Sequence, residues 1–154
     1  MPVVRRQELE PYVEFYALWA EDADEDEPGE SPEPAEAELL EVRERRLCFR
    51  SGGHTHHASF TAEVWDQEPP ADEREIWESS ADTQWYCRSG EMALWSYGGP
   101  SEPVVELGRP DTLWRVRAYV SGQERVRELA QQEVPAGVER VLVQFWPVCR
   151  GGDR

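Results

Sequence analysis

The sequence contains no lysine and no asparagine, has a single isoleucine (Ile76), and uses arginine for all 16 of its basic residues. Without lysine the chain cannot build a P-loop, a pyridoxal Schiff base or the strand lysine of a protein kinase, so these enzyme classes are excluded. The missing residue types are encoded mostly by codons rich in A and T. The composition therefore predicts a bacterial source with a GC-rich genome.

Cysteines and long apolar runs are also scarce. Cys48, Cys87 and Cys149 are widely spaced and form no C-x-x-C pair, which is typical of reduced structural thiols in a cytoplasmic protein. The first residues carry charge without an apolar stretch, and no run approaches the roughly 20 residues of a membrane span. We therefore expect a cytoplasmic protein with neither a secretion signal nor a membrane partner.

Acidic residues are abundant and concentrated. The 32 Asp and Glu residues give a formal net charge of −16, and residues 21–41 hold eleven acids and no base. Such a chain repels the phosphates of nucleic acid, so a nucleic-acid partner is not expected. Residues 21–34 also have three prolines and no aromatic residue, which predicts a disordered acidic loop. Two interpretations stay open: a solvated insertion, or an arm that docks on a basic surface.

Alternating apolar residues and frequent turn residues predict an all-β fold over a single domain, residues 1–154. The clearest strands are His57–Asp66, Leu113–Val120 and Val138–Trp146, and the last has apolar residues on both faces, as a central strand does. About eight short strands favour an antiparallel β-sandwich or jelly roll. The seven tryptophans are expected mainly in the core or between the sheets.

Other segments give less regular patterns. Tyr12–Trp19 is predicted as one strand that places Val13, Phe15, Ala17 and Trp19 on the same face. A further short extended run is predicted at Ile76–Ser80. Two short helices are predicted, at Ala35–Arg46 and Gln123–Gln132.

The three histidines, His54, His56 and His57, lie in one Gly-His-Thr-His-His run. On a strand His54 and His56 would point the same way, which suits binding of one metal ion, with Cys48 or Cys87 as further ligands. The His-x-His pair is similar to that of the cupin family. Cupins, however, have a Glu three or four residues later and another His on a later strand, and this chain has neither. A polar hairpin tip is the competing interpretation.

The end of the chain resembles a known group of proteins. The segments 114–119 and 139–147, together with Val64-Trp65-Asp66 and Pro69-Pro70, resemble small actinobacterial proteins and, more remotely, the competence protein J type of nuclease inhibitor. The resemblance implies an all-β, inhibitor-like protein and carries over no functional residue.

These observations predict a non-enzymatic binding protein, of the nuclease-inhibitor or toxin-immunity kind, that uses an acidic surface to bind a basic protein partner. No cofactor is expected. The residues predicted to bind the partner are the acids Asp22, Asp24, Glu25, Asp26 and Glu27, which would steer the encounter, and the anchoring aromatics Tyr16 and Tyr97. The alternatives are a metal-binding jelly-roll enzyme or small-ligand-binding protein centred on His54 and His56, and a subunit that oligomerises through a sheet edge.

Overall fold

The computed structural model describes residues 3–14, 16–23, 40–43, 46–97, 99–101 and 104–148. These ranges contain twelve strands and one helix. The elements in chain order are β1 (Arg5–Leu9), β2 (Tyr12–Glu14), β3 (Ala17–Asp22), β4 (Leu40–Arg43), β5 (Arg46–Arg50), β6 (Thr55–Val64), β7 (Ser79–Cys87), β8 (Glu91–Ser96), β9 (Gly99–Pro100), β10 (Val105–Glu106), β11 (Thr112–Ser121), α1 (Gln123–Leu129) and β12 (Ala136–Pro147).

The strands form two layers that pack face to face. The first layer has the order β7-β11-β12-β6-β1, and the second has the order β4-β5-β3-β8-β10. Strand β2 pairs with both β6 and β3, so it connects the layers. Among the described strands, neighbours are antiparallel except β6 and β12, which are parallel. The predicted all-β, sandwich-like fold is confirmed, with this parallel pair inside an otherwise antiparallel arrangement.

One hydrophobic core lies between the layers. The rings of Phe49 on β5 and Phe60 on β6 meet edge to face with centroids 5.5 Å apart, which joins the two layers directly. Trp114 and Phe145 make a similar contact within the first layer. Burying such rings stabilises the fold by about 2 kcal/mol each. Of the seven tryptophans, only Trp85 and Trp114 lie in this core, so the expectation that most of them would is not met. The other five are buried or half-buried elsewhere in the structure.

A polar side chain joins the layers at one side of the sandwich. The Gln7 amide on β1 donates to the Val104 carbonyl at 3.1 Å and accepts from the Glu106 backbone N–H at 2.7 Å. Arg5 forms an ion pair with Glu106 at 3.0 Å in the same place. The Gln7 side chain therefore makes hydrogen bonds of the kind that a neighbouring strand would make with β10.

The outer face of the first layer is covered by residues 65–78, which connect β6 to β7 and which we call the cover segment. Trp77 packs on Tyr119 with ring centroids 5.6 Å apart, and the Asp72 backbone N–H donates to the Tyr119 hydroxyl at 3.0 Å. This cover explains why Leu142 and Trp146 are buried on the outer face of β12. The prediction of a central strand with two apolar faces is confirmed.

Two predicted elements differ from the structure because tertiary packing decides them. Residues 40–43 belong to strand β4 and not to the helix predicted over Ala35–Arg46, since Leu40 is buried in the core and pairs with Phe49. The last residue of the predicted helix, Arg46, begins strand β5. Residues 35–39 and 44–45 lie outside the described ranges. The second predicted helix is confirmed as α1.

The strand predicted over Tyr12–Trp19 is divided by a turn at Tyr16, whose φ of 64° is left-handed. The turn changes the alternation, so Leu18 faces the main core with Val13. Ala17 and Trp19 lie on the opposite face, where they form a second, smaller buried cluster with Cys48. Phe15 lies outside the described residues. The extended run predicted from Ile76 begins only at Ser79, because Ile76 is 93% exposed within the cover segment.

Candidate functional site

The three histidines occupy different environments at the start of β6. His54 precedes the strand and is exposed, with its Nδ1 2.7 Å from the Thr55 hydroxyl. His56 is completely buried, and His57 lies half-buried against the Tyr12 ring on the other side of the strand. His54 precedes β6, so it does not follow the alternation of side chains along the strand. The expected pair, His54 and His56, therefore does not share one environment. Within the described ranges, no three His, Cys, Asp or Glu side chains are grouped to hold a metal ion.

His56 instead belongs to a buried polar network with Ser51 and Glu139. The Ser51 hydroxyl lies 2.6 Å from His56 Nε2 and donates to Glu139 Oε1 at 2.7 Å. The other Glu139 oxygen accepts from the Gly52 backbone N–H at 2.8 Å, and Ser51 Oγ accepts from the Gly53 N–H at 3.1 Å. The network therefore fixes the loop before β6 to the start of β12.

The order of these groups is unlike that of a catalytic triad. In a triad the histidine lies between the acid and the hydroxyl and accepts the hydroxyl proton. Here the Ser51 hydroxyl lies in the middle, between His56 Nε2 and Glu139 Oε1, so the acid is hydrogen-bonded to the hydroxyl and not to the imidazole. Burial lowers the pKa of His56 to about 4 and raises the pKa of Glu139. The geometry supports a structural role.

One feature of the sequence indicates this network. Glu139 has the same strand phase as Val141, Val143 and Phe145, so its side chain points inward. An acid at an inward position requires buried partners. Ser51 and His56 supply them from 88 and 83 positions away in the sequence, a pairing that no local pattern reveals.

A cavity of about 470 Å³ opens beside Ser51. Among the described residues, its lining includes Tyr16, Arg50, Ser51, Gly52, Gln123 and Arg127. Backbone bonds hold its walls together, since the Ser51 N–H donates to the Tyr16 carbonyl at 3.0 Å and the Tyr16 N–H donates to the His54 carbonyl at 3.2 Å. The Gln123 amide donates to the Arg50 carbonyl at 3.1 Å and joins α1 to the end of β5.

The predicted partner-binding residues are divided between the two ends of β3. Tyr16 and Tyr97 lie near one end and are each more than a third exposed; Tyr97 packs on the Trp19 ring, with centroids 5.6 Å apart. Asp22 is the last residue of β3, six positions and therefore at most about 20 Å from Tyr16. The acids Asp24, Glu25, Asp26 and Glu27 lie outside the described residues.

Asp22 has a clear structural role. Its Oδ2 accepts from the backbone N–H groups of Arg88 at 2.7 Å and Ser89 at 3.1 Å, so it caps the turn between β7 and β8. Glu21 forms a buried ion pair with Arg46 at 2.7 Å. The predicted acidic loop at 21–34 therefore begins later than expected, because its first two acids are part of β3.

Many arginines of the described residues are neutralised within the molecule. Seven of them form ion pairs with nearby acids: Arg5, Arg6, Arg46, Arg74, Arg115, Arg117 and Arg140. The most buried acid among them is Glu63, which binds both Arg6 and Arg74 at 2.9 Å. Because nearby acids neutralise these seven arginines, the net negative charge of the chain comes from acids outside these ion pairs.

The fold is similar over almost its whole length to two solved structures. One is ComJ from Bacillus subtilis, described as an inhibitor of the DNA degrading activity of NucA, with a TM-score of 0.64, 10% identity and coverage of 96% of this chain and 98% of that chain. The other is the product of crocagin biosynthetic gene J, with a TM-score of 0.63, 14% identity and coverage of 96% and 99%. No protein-family model and no curated protein sequence matches the chain. The remote likeness to a nuclease-inhibitor fold is confirmed at the level of the fold.

Proposed function

We propose that this chain is a non-enzymatic, inhibitor-like protein that binds a basic protein partner, such as a nuclease or a toxin. The observation that carries the proposal is the end-to-end fold likeness to ComJ, whose own described role is to inhibit a nuclease. The likeness to small actinobacterial proteins and the cytoplasmic location remain predictions from the sequence. Among the described residues, no helix has the length and apolar character needed to cross a membrane.

The charge layout supports a basic partner. The chain carries a net charge of −16. The arginines that form ion pairs within the described residues already have acidic partners there, so they do not neutralise the acids that follow Asp22. An uncompensated negative field attracts a basic protein over roughly the Debye length, about 8 Å at physiological salt, and raises the association rate more than the affinity. We propose that Asp24, Glu25, Asp26 and Glu27 supply this steering.

Two exposed aromatic rings at the other end of β3 fit the role of anchors. Tyr16 contacts His54 edge to face at 5.3 Å, and Tyr97 contacts Trp19 in the same way. A ring that is held on one side and exposed on the other contributes contact area at a low entropic cost, which is why tyrosine is common at interface hot spots.

The test is inhibition of a basic nuclease or toxin encoded beside this gene. We expect stoichiometric loss of its DNA-degrading or toxic activity when the chain is added, and an association rate that falls steeply as salt increases. Activity that is unchanged by excess chain, for each such neighbour, would contradict the proposal.

Two charge variants separate the acidic segment from net charge alone. The first replaces Asp24, Glu25, Asp26 and Glu27 with their amides and keeps Asp22, because Asp22 caps a turn. The matched control makes the same replacement at four exposed acids elsewhere: Glu73, Glu124, Glu128 and Glu133. We expect the first variant alone to slow association at low salt. Equal slowing in both would assign steering to the overall charge and not to this segment.

A further inference from the structure

We propose that an apolar strip on the outer face of the first layer, formed by Tyr86, Leu113 and Val148, is the surface that anchors the basic protein partner. This surface adds to the proposed function, on which the inference rests, a contact distinct from Tyr16 and Tyr97. Its exposure, its rigidity and its position beside the start of the acidic segment carry the inference.

The strip runs across three neighbouring strands at one level of the sheet. Tyr86 on β7 pairs with Leu113 on β11, and the N–H of Val148, just after β12, donates to the Leu113 carbonyl at 2.9 Å. The adjacent Trp85 and Trp114 are in the core, so Tyr86 and Leu113 point away from it. Tyr86 is 51% exposed, Leu113 is 39% exposed and Val148 is partly exposed. Side chains at paired positions lie about 5 Å apart on the same face, so the three form one apolar surface.

The cover segment protects the other end of the same face. Along β11 it contacts Tyr119 through the Trp77 ring and Arg117 through the Glu68 carboxylate. Leu113 lies four positions beyond Arg117, which is about 13 Å along a strand. The ring of Tyr119 is thus covered within the molecule, whereas the strip is exposed. An exposed apolar surface that is bordered by polar residues is typical of a protein-binding site.

Polar contacts hold the strip in place and border it. The Tyr86 hydroxyl donates to Asp111 Oδ1 at 2.8 Å, which fixes the orientation of the ring. On the same face Arg115 forms an ion pair with Asp82, with a nitrogen–oxygen distance of 3.8 Å. An aromatic ring that is already held loses little entropy when a partner covers it, and partly exposed charges around it form the polar rim of a protein interface.

The acidic segment begins beside the strip. The Asp22 carboxylate accepts from the backbone N–H of Arg88 at 2.7 Å, and Arg88 lies two positions, or about 7 Å, after Tyr86. Residues 24–27, which are all acids, follow Asp22 closely in the sequence. A basic partner that these acids attract therefore arrives near Tyr86, whereas Tyr16 lies at the other end of β3.

The charge of the chain favours a basic partner over a second copy of the chain. Two copies would each bring a net charge of −16 to the contact and would repel each other. A basic protein that presents an apolar pocket matches both the strip and the nearby acids. We expect the strip to control how long the complex lasts, since buried anchors act mainly on the dissociation rate and exposed charges on the association rate.

The test is a double variant, Tyr86→Ser with Leu113→Ser, whose binding to the basic nuclease or toxin encoded beside this gene is measured by surface plasmon resonance. We expect its dissociation rate to rise about tenfold or more, with an unchanged association rate because the net charge is the same. Ile76→Ser is the matched control: it removes an apolar side chain that is 93% exposed in the cover segment, and it should bind as the wild type does. Circular dichroism and urea unfolding check that each variant folds, and Tyr86→Ser alone is used if the double variant does not.

The possible outcomes separate this inference from the proposed function. A dissociation rate equal to that of the wild type would overturn the inference, while inhibition by the wild type would still support the proposed function. An equal rise for Ile76→Ser would assign the effect to surface apolarity in general and would also overturn it. If light scattering shows a wild-type dimer that the double variant converts to a monomer, the strip joins two copies and the inference is wrong. If the wild type binds none of the tested basic proteins, the proposed function fails and this inference fails with it.

Discussion

His56 is completely buried and hydrogen-bonded as a neutral imidazole, so acid should destabilise the protein through this residue. Its pKa is about 4 in the folded protein, below the ordinary value of 6.5. A group whose pKa is depressed on folding contributes stability above its unfolded pKa and loses it as the pH falls. From these two values, the contribution decreases by about 2 kcal/mol between pH 7.5 and pH 5, and by about 3 kcal/mol at pH 4.

Glu139 acts in the opposite direction within the same network. Burial raises its pKa, so its ionised form is disfavoured on folding and its contribution to stability is lost as the pH rises. The effect of His56 must therefore be measured as a difference between two proteins that both contain Glu139. His56→Gln serves this purpose, because it removes the titrating ring and retains a polar side chain.

The assay is urea unfolding of the wild type and of His56→Gln at several pH values between 7.5 and 5. We expect the difference in unfolding free energy between the two proteins to narrow by about 2 kcal/mol over this range. His54→Gln is the matched control, and it should keep the wild-type pH dependence because His56 is still present. If the wild-type and His56→Gln curves stay parallel within about 0.5 kcal/mol, the neutral, buried state of His56 is refuted. Should His56→Gln fail to fold, the His56 ring resonances of the wild type, followed by NMR down to pH 4, give the same answer.

Three further predictions concern the fold. Phe60→Ala should lower the unfolding free energy by about 3–5 kcal/mol, because Phe60 is fully buried between the layers. The control, Ile76→Ala at an exposed position, should change it by less than about 0.5 kcal/mol. Urea unfolding measures both. Gly52→Ala should lower the melting temperature, because the new methyl group overlaps the backbone of Gln123, and a melting temperature equal to the wild type would contradict the close contact. Glu63→Gln should lower the unfolding free energy by about 1–3 kcal/mol, because Arg74, Gln144 and Trp65 all donate hydrogen bonds to this carboxylate. These bonds lower the pKa of Glu63 although burial acts to raise it. An unfolding midpoint that does not change would show that these bonds do not stabilise the fold.

The sheet could be predicted from the sequence where one face of a strand is buried. Strands β6, β11 and β12 have alternating apolar residues that report directly on the core, and the structure confirms all three. Strand β4 does not follow from the sequence pattern, because the burial of Leu40 in the core outweighs the helix propensity of this segment. The turn at Tyr16 was missed because a bulky residue with a left-handed backbone gives no turn signal in the sequence.

The site was harder to predict because its parts meet only in the fold. Histidines close in the sequence suggest a metal-binding pair, but His54 lies before the strand and His56 within it, so proximity in the sequence does not bring their side chains together. The cavity is built from the β2–β3 turn, the end of β5 and α1, whose residues are separated by up to 111 positions. Exposed aromatics at Tyr16 and Tyr97 were placed correctly on the surface, while their role in binding stays a prediction.

The charge of the chain bears on the choice between a solvated insertion and a docking arm. Residues 24–39 hold eight acids and no base, which is half of the net charge of −16. A net charge of about 2–8 in magnitude is enough to keep a small domain soluble, and the rest of this chain already carries −8. The additional eight acids repel one another and are not required for solubility, so a solvated insertion explains them poorly. Attraction of a basic partner gives these acids a use, and neutralising Asp24, Glu25, Asp26 and Glu27 should therefore leave solubility unchanged while it slows association.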